Sequence, residues 1–240
     1  MEHFSVCVFC GSRSGDDPAY LIQAEKLGNL IAKHKWRLVY GAGNTGMMGS
    51  VANATQLGKA KTFGVIPHHL VEREVGKKDL DNYIVTDNMH ERKKLMFTNS
   101  DAIILMPGGP GSLDEFFEVL TWAQLEIHKK PIVVINVKKY WDPLFSLIDH
   151  TISSGFAENS LKKLYTLTGQ LQPKHPLLTR DSDCTKNDSQ PVLGQALSQG
   201  LFRVAVGVKQ AKRLPGTKCN RLPRNRHRLR LSELKFSHDS

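Results

Sequence analysis

Two short runs in this chain, Ala102-Ile103-Ile104-Leu105-Met106 and Ile132-Val133-Val134-Ile135, contain no polar residue. A strand with one wetted face alternates apolar and polar residues. An unbroken apolar run of this length fits a strand covered on both faces, as in a parallel sheet. Strands are predicted at 4–10, 36–41, 62–66, 82–86, 101–106 and 131–137. Helical segments are predicted between and after them at 18–34, 46–58, 88–99, 112–128 and 142–154. Alternation of this kind implies right-handed βαβ units and an α/β fold. The expected architecture is a doubly wound, mainly parallel sheet with helices on both faces. Ligands in such sheets bind beyond the carboxyl ends of the strands.

The alternation stops at about Tyr165. Residues 1–166 are therefore expected to form the folded domain, and residues 167–240 a basic, flexible tail rich in polar residues. The net charge of +10 belongs to that tail. Residues 167–240 carry 14 Lys and Arg against 5 Asp and Glu, whereas the first 166 carry 19 against 18. Basic tails can bind nucleic acid or acidic lipid. This one has few aromatic residues for stacking and matches no nucleic-acid module, so neither nucleic acid nor membrane is expected as a partner. No apolar run approaches the roughly 20 residues that span a bilayer. The chain starts directly into a strand-like segment without a basic leader, and a cytoplasmic protein is expected. Cys7 and Cys10 form a C-x-x-C, but three residues apart on a strand they point to opposite faces. A joint metal site or disulfide is not expected of them.

The segment Pro107-Gly108-Gly109-Pro110-Gly111-Ser112-Leu113-Asp114-Glu115 joins an apolar strand to an amphipathic helix. A glycine-rich turn at a helix N-terminus presents backbone N–H groups and the positive end of the helix dipole, which suits a phosphate. Glu115 lies one turn into the helix, beside whatever the phosphate carries. Two roles are open to it. It can face the ligand, or it can complete a capping box with Ser112 as the N-cap. Asp114 and Glu115 are about 100° apart around the helix, so they do not form an acid–base pair on one substrate.

A second glycine motif, Gly41-Ala42-Gly43-Asn44-Thr45-Gly46-Met47-Met48-Gly49, also joins a strand to a helix. Gly41, Gly43 and Gly46 satisfy the dinucleotide pattern G-x-G-x-x-G. The following strand ends in Pro67-His68-His69 and not in the acid that would hold a ribose hydroxyl. A nicotinamide-dependent oxidoreductase therefore lacks its second support. Gly41, Gly43, Gly46 and Gly49 either contact a nucleotide or let the turn and helix pack closely. Met89-His90-Glu91-Arg92-Lys93-Lys94 opens another helix and is either a solvated charged face or a site in which Arg92 offers its planar fork to an anion. His68 and His69 have no ligand partner at metal spacing, and no metal site is expected.

Together these motifs resemble the LOG (Lonely guy) family of cytokinin riboside 5′-monophosphate phosphoribohydrolases, often mislabelled as lysine decarboxylases. The family pattern PGGxGTxxE matches residues 107–115, GGGxxGxMG matches 41–49, and M-H-x-R-K matches 89–93. Further matches are Cys10-Gly11-Ser12, Gly64-Val65-Ile66-Pro67, Thr121-Trp122-Ala123-Gln124-Leu125 and Lys130-Pro131. The resemblance spans about residues 4–165. It implies a Rossmann-like fold, a homodimer, and hydrolysis of the N-glycosidic bond of a purine nucleoside 5′-monophosphate without metal or organic cofactor. It implies Arg92 and Glu115 as the catalytic pair. It also implies substrate contacts from Glu74, Lys93, Gly108, Gly109, Pro110, Gly111, Ser112, Leu113, Asp114 and Thr121. A non-catalytic nucleotide-binding protein is the alternative. Ser112 stands for the family Thr, Asp114 for a Glu, and Ala42 for a Gly. A positive φ at Ala42 would strain that turn. No lysine lies in a recognisable pyridoxal phosphate setting, so lysine decarboxylation has no support in the residues.

Overall fold

The computed structural model describes residues 3–169. The short apolar runs become the central strands, and each is followed by a chain reversal through a helix or turn. In chain order the strands are β1 (Ser5–Phe9), β2 (Arg37–Tyr40), β3 (Thr62–Pro67), β4 (Asn82–Thr86), β5 (Ala102–Leu105), β6 (Ile132–Ile135) and β7 (Tyr165–Thr168). The α-helices are α1 (Pro18–Lys33), α2 (Gly46–Leu57), α3 (Met89–Thr98), α4 (Pro110–Gln124) and α5 (Asp142–Ser153). The sheet order is β4-β3-β2-β1-β5-β6-β7, with every pairing parallel. The doubly wound α/β expectation is met.

Both faces of the sheet are covered, which is why its central strands need no polar positions. Leu27 and Ile31 of α1 and Val51 of α2 pack with Val6, Val8 and Ile104 on one face. Phe116 and Leu120 of α4, Met96 of α3 and Ile148 of α5 pack with Cys7, Ile103 and Val134 on the other. Full burial of a large side chain such as Phe116 contributes about 1.5–3 kcal/mol. Cys7 and Cys10 are free, buried thiols that belong to these opposite cores. No helix among the described residues is long and apolar enough to cross a membrane.

Three differences from the sequence expectation have physical reasons. First, α4 begins at Pro110, not Ser112. Proline presets the helical φ and has no N–H to leave unpaired, so it takes the first helical position and Gly109 becomes the N-cap. Second, α4 ends at Gln124, not 128; the chain turns at Glu126, whose φ is +57°. Third, regular structure continues past Tyr165 into β7, which crosses the boundary expected at 166. Edge strand β7 is only partly covered by the described residues, with Thr168 buried. Tyr165 stacks on Phe145 at 5.6 Å, while Thr166 and Leu167 are exposed, so β7 lacks the unbroken apolar signature of the inner strands. The rest of the expected basic tail, from residue 170, lies outside the described residues.

Candidate active site

Strand β1 lies between β2 and β5, and from there the chain winds outward in both directions. Helices on opposite faces leave β1 and β5 open at their carboxyl ends, which makes a crevice at that reversal. A cavity of about 560 Å³ occupies it. Its floor is Cys10–Ser12 after β1 and Pro107–Ser112 after β5. The two segments are joined by the Gly11 N–H, which donates to the Pro107 carbonyl at 3.0 Å.

The Pro107–Ser112 turn has the form expected of an anion site. No side chain caps the N-terminus of α4. Around Gly109 and Gly111 there is open space, since an added Cβ would meet no atom within 4 Å. Gly108 differs: its added Cβ would lie 2.1 Å from Ser112 Oγ, so only glycine lets the Ser112 hydroxyl tuck beneath the turn. The Tyr140 hydroxyl donates to the Gly108 carbonyl at 2.7 Å and fixes the turn from the rim.

The start of α4 decides between the two roles open to Glu115. With Gly109 as N-cap, Ser112 is the third helical residue and donates its own N–H to the Gly109 carbonyl at 3.0 Å. The capping-box reading is therefore incorrect. Ser112, Glu115, Phe116, Val119 and Leu120 form the buried stripe of α4, and its first turn reaches the cavity. Glu115 is only 8% exposed and makes no hydrogen bond among the described residues. Burial pushes its carboxyl up to about 7; the positive charge of Arg92 opposes the rise, and Asp114 and Glu74 add to it.

Arg92 enters from α3. Asn88 caps that helix by accepting the Glu91 N–H at 2.9 Å, and the Glu91 side chain accepts the Asp87 N–H at 3.2 Å. His90, Glu91 and Lys94 face solvent, while Arg92 and Lys93 turn inward, so the charged-face reading holds for only part of the motif. The Arg92 guanidinium donates to the carbonyls of Gly41 at 2.9 Å and Val65 at 3.2 Å, and pairs with Glu74 at 3.3 Å. Glu74 is itself held by the loop that carries it. Its carbonyl accepts the Asn44 N–H, and Gly43 and Gly76 form a bridge alongside.

Of the second glycine motif, Gly41 lines the cavity and Gly43, Gly46 and Gly49 do not. An added Cβ on Gly41 would lie 1.9 Å from Arg92 Nη2, so this glycine makes room for the guanidinium. Side chains on Gly43, Gly46 and Gly49 would strike Met48, the Ser12–Arg13 backbone and Asn44 respectively, which is the close-packing alternative. Ala42 adopts φ +59°, the left-handed conformation that favours glycine, so the strain expected of this turn is present.

Four expected substrate contacts lie outside the cavity wall. Lys93 pairs with Asp114 at 3.0 Å and with Glu118 at 3.3 Å. Leu113 packs into the core beneath α4. Thr121 is exposed and lines a shallow groove between α4 and α5. No group of three or more potential metal ligands occurs among the described residues. Sequence reasoning missed Arg13, Tyr20 and Tyr140 on the cavity wall, and gave Met47, Met48, Met89 and Met96 no role there. Tyr140 follows β6 at the carboxyl edge of the sheet, where the doubly wound topology itself places ligand-facing loops.

The family model described as "Possible lysine decarboxylase" matches residues 48–172. Cytokinin riboside 5′-monophosphate phosphoribohydrolase LOG7 of Arabidopsis thaliana is 41% identical over 159 residues, covering 66% of this chain and 73% of that protein. Cytokinin riboside 5′-monophosphate phosphoribohydrolase LOG of Oryza sativa subsp. japonica is 42% identical over 159 residues, covering 66% of each. Among solved structures, the molybdenum cofactor binding protein of Rippkaea orientalis superposes with a TM-score of 0.54 at 24% identity, covering 71% of this chain and 91% of that one. The molybdenum cofactor carrier protein of Chlamydomonas reinhardtii gives 0.53 at 21% identity, covering 70% and 91%. At these identities the two likenesses establish the fold alone.

Proposed function

This chain belongs to the LOG family, and from that membership we propose that it hydrolyses the N-glycosidic bond of a purine nucleoside 5′-monophosphate, releasing free base and ribose 5-phosphate. The observation that carries the proposal is Glu115: a buried carboxylate spent on no cap and no ion pair, facing the same cavity as Arg92 and the glycine turn. Substrates are AMP and its N6-substituted, cytokinin-type analogues.

The residues divide the work by position. The Gly108–Ser112 turn and the Ser112 hydroxyl receive the 5′-phosphate. Met48, Met89 and Met96, which line the cavity around Arg92, give the base an apolar and polarisable wall. As the base leaves, it takes the electron pair of the C1′–N bond, and positive charge builds on the sugar. Ionised Glu115 stabilises that charge and accepts a proton from the water that attacks C1′; the departing base takes up a proton from solvent, and Glu115 returns its own to solvent to restart the cycle. Arg92, fixed by Glu74 and two carbonyls, holds the substrate and assists the departing base. A protein base poised near neutral pH suits this step. Glu74, paired with Arg92 on the cavity wall, contacts the substrate beside it. Among the described residues no lysine lines the cavity, so the site does not fit pyridoxal phosphate, which needs a lysine for its Schiff base.

The enzyme is proposed to work as a homodimer in the cytoplasm. The α4–α5 groove that holds Thr121 also carries Phe117 and Leu147, 38% and 52% exposed, an apolar surface that a second copy would cover. Such pairing gives Lys93, Leu113, Asp114 and Thr121 their route to substrate, across the subunit boundary or by ordering the α4 face. Chromatography of purified protein incubated with AMP and with isopentenyladenosine monophosphate tests the reaction. Free base and ribose 5-phosphate in equal amounts are expected. Tight nucleotide binding by calorimetry without any base release would replace this reading with the non-catalytic one.

A further inference from the structure

A nucleoside monophosphate brings close to two negative charges into this cavity at neutral pH. Among the described residues the cavity wall offers two cations, Arg13 and Arg92, against three carboxylates, Asp16, Glu74 and Glu115. Arg92 is engaged by Glu74 and by the carbonyls of Gly41 and Val65. Lys93 is engaged by Asp114 and Glu118, outside the wall. Arg13 alone among these cations makes no ion pair and no side-chain hydrogen bond among the described residues.

Its backbone is placed against the phosphate turn. An added Cβ on Gly11 would lie 3.3 Å from both the Arg13 carbonyl oxygen and Gly108 Cα, so the two segments touch through Gly11. On the other side, an added Cβ on Gly46 would lie 2.6 Å from the Arg13 carbonyl carbon. The start of α2 and the turn before α4 thus fix residue 13 between them, while its side chain remains exposed at the cavity mouth.

We propose that Arg13 is a substrate-binding residue whose guanidinium closes over the 5′-phosphate seated on the Gly108–Ser112 turn. The proposal rests on the function proposed above and identifies the cation that its substrate requires. The turn supplies N–H dipoles and one hydroxyl but no full positive charge. A guanidinium adds that charge in a planar fork that fits two phosphate oxygens at once.

The test compares wild type, Arg13→Gln and Arg13→Lys. Binding of ribose 5-phosphate is measured by calorimetry, and AMP hydrolysis by kcat and KM at two salt concentrations. Arg13→Gln is expected to weaken ribose 5-phosphate binding about 10- to 100-fold, the range for a lost hydrogen bond to a charged group. KM for AMP should rise in step, with kcat changed far less and a shallower dependence of KM on salt. Arg13→Lys should recover part of the loss. Unchanged ribose 5-phosphate affinity and KM in Arg13→Gln would overturn the assignment and leave the proposed function standing. A wild type that binds ribose 5-phosphate but releases no base would overturn the proposed function, and the binding comparison would still decide the role of Arg13.

Discussion

Burial of Glu115 has a cost that can be measured apart from catalysis. Its carboxyl is raised from the ordinary 4.5 to about 7 in the fold. Between those values the native state holds a proton that the unfolded chain has lost, so stability falls as pH rises from 4.5 to 7 and stays low above it. A shift of this size corresponds to about 3 kcal/mol. Glu115→Gln, which keeps the shape and removes the charge, is expected to raise the unfolding free energy at pH 8 by up to about that amount, and to change it little at pH 4.5. Denaturant unfolding at the two pH values checks this. In wild type, kcat should rise with pH through an apparent pKa near 7 if ionised Glu115 accepts the proton from water. The family resemblance implied Glu115 and Arg92 as a catalytic pair, but the local sequence left Glu115 open between a cap and a ligand-facing carboxylate. Ser112 and Glu115 have capping-box spacing, and only the helix start at Pro110 removes that option.

At the N-terminus of α4, stability is forgone for the open, uncapped turn proposed to receive the phosphate. Gly109, the N-cap, has φ −91° and free space at its Cβ position, so another residue fits there without strain. Gly109→Asp should cap the helix and complement its dipole, raising stability by about 0.5 kcal/mol. The same carboxylate would occupy the place proposed for the phosphate, and KM for AMP should rise more than about tenfold. Thermal melts and initial rates on one preparation test both halves. Tyr140 acts on the same turn through the Gly108 carbonyl. Tyr140→Phe should raise KM several-fold with kcat retained. An unchanged KM would reduce that hydrogen bond to a structural detail. The inner strands and helices α1, α2, α4 and α5 were legible from apolar runs or helical stripes, whereas α3, whose inward face is Arg92, Lys93 and Met96, was legible from its charged motif between two strands. Strand β7 was not, because its covering comes from Phe116 and Phe145, distant in sequence.

For the whole molecule, the topology explains why motifs scattered over 100 residues converge. The β4-β3-β2-β1-β5-β6-β7 order puts the turns after β1, β2, β5 and β6 at one edge of the sheet, around the β1–β5 reversal. Strand-to-helix alternation therefore gave both the fold and the edge where chemistry would occur. What it could not give was the cavity wall. Arg13, Tyr140, the Met47–Met48 pair of α2 and Met89 and Met96 of α3 come from four separate segments, and nothing local in the sequence marks those segments as neighbours. The same limit applies to Lys93, Asp114 and Thr121, which lie outside the cavity wall and would join the site only through the proposed dimer. Sedimentation of the purified protein is expected to show a dimer, and a monomer that retains full activity would remove the role proposed for the α4–α5 groove. If the buried carboxylate of Glu115 carries out glycosidic hydrolysis in this cavity, base release depends on its charge. The most direct measurement is base release from AMP by wild type and Glu115→Gln side by side, with nucleotide binding measured on both. Loss of at least about 100-fold in kcat with nucleotide binding and folding retained is the expected result, and a Glu115→Gln protein that hydrolyses AMP at the wild-type rate would contradict it.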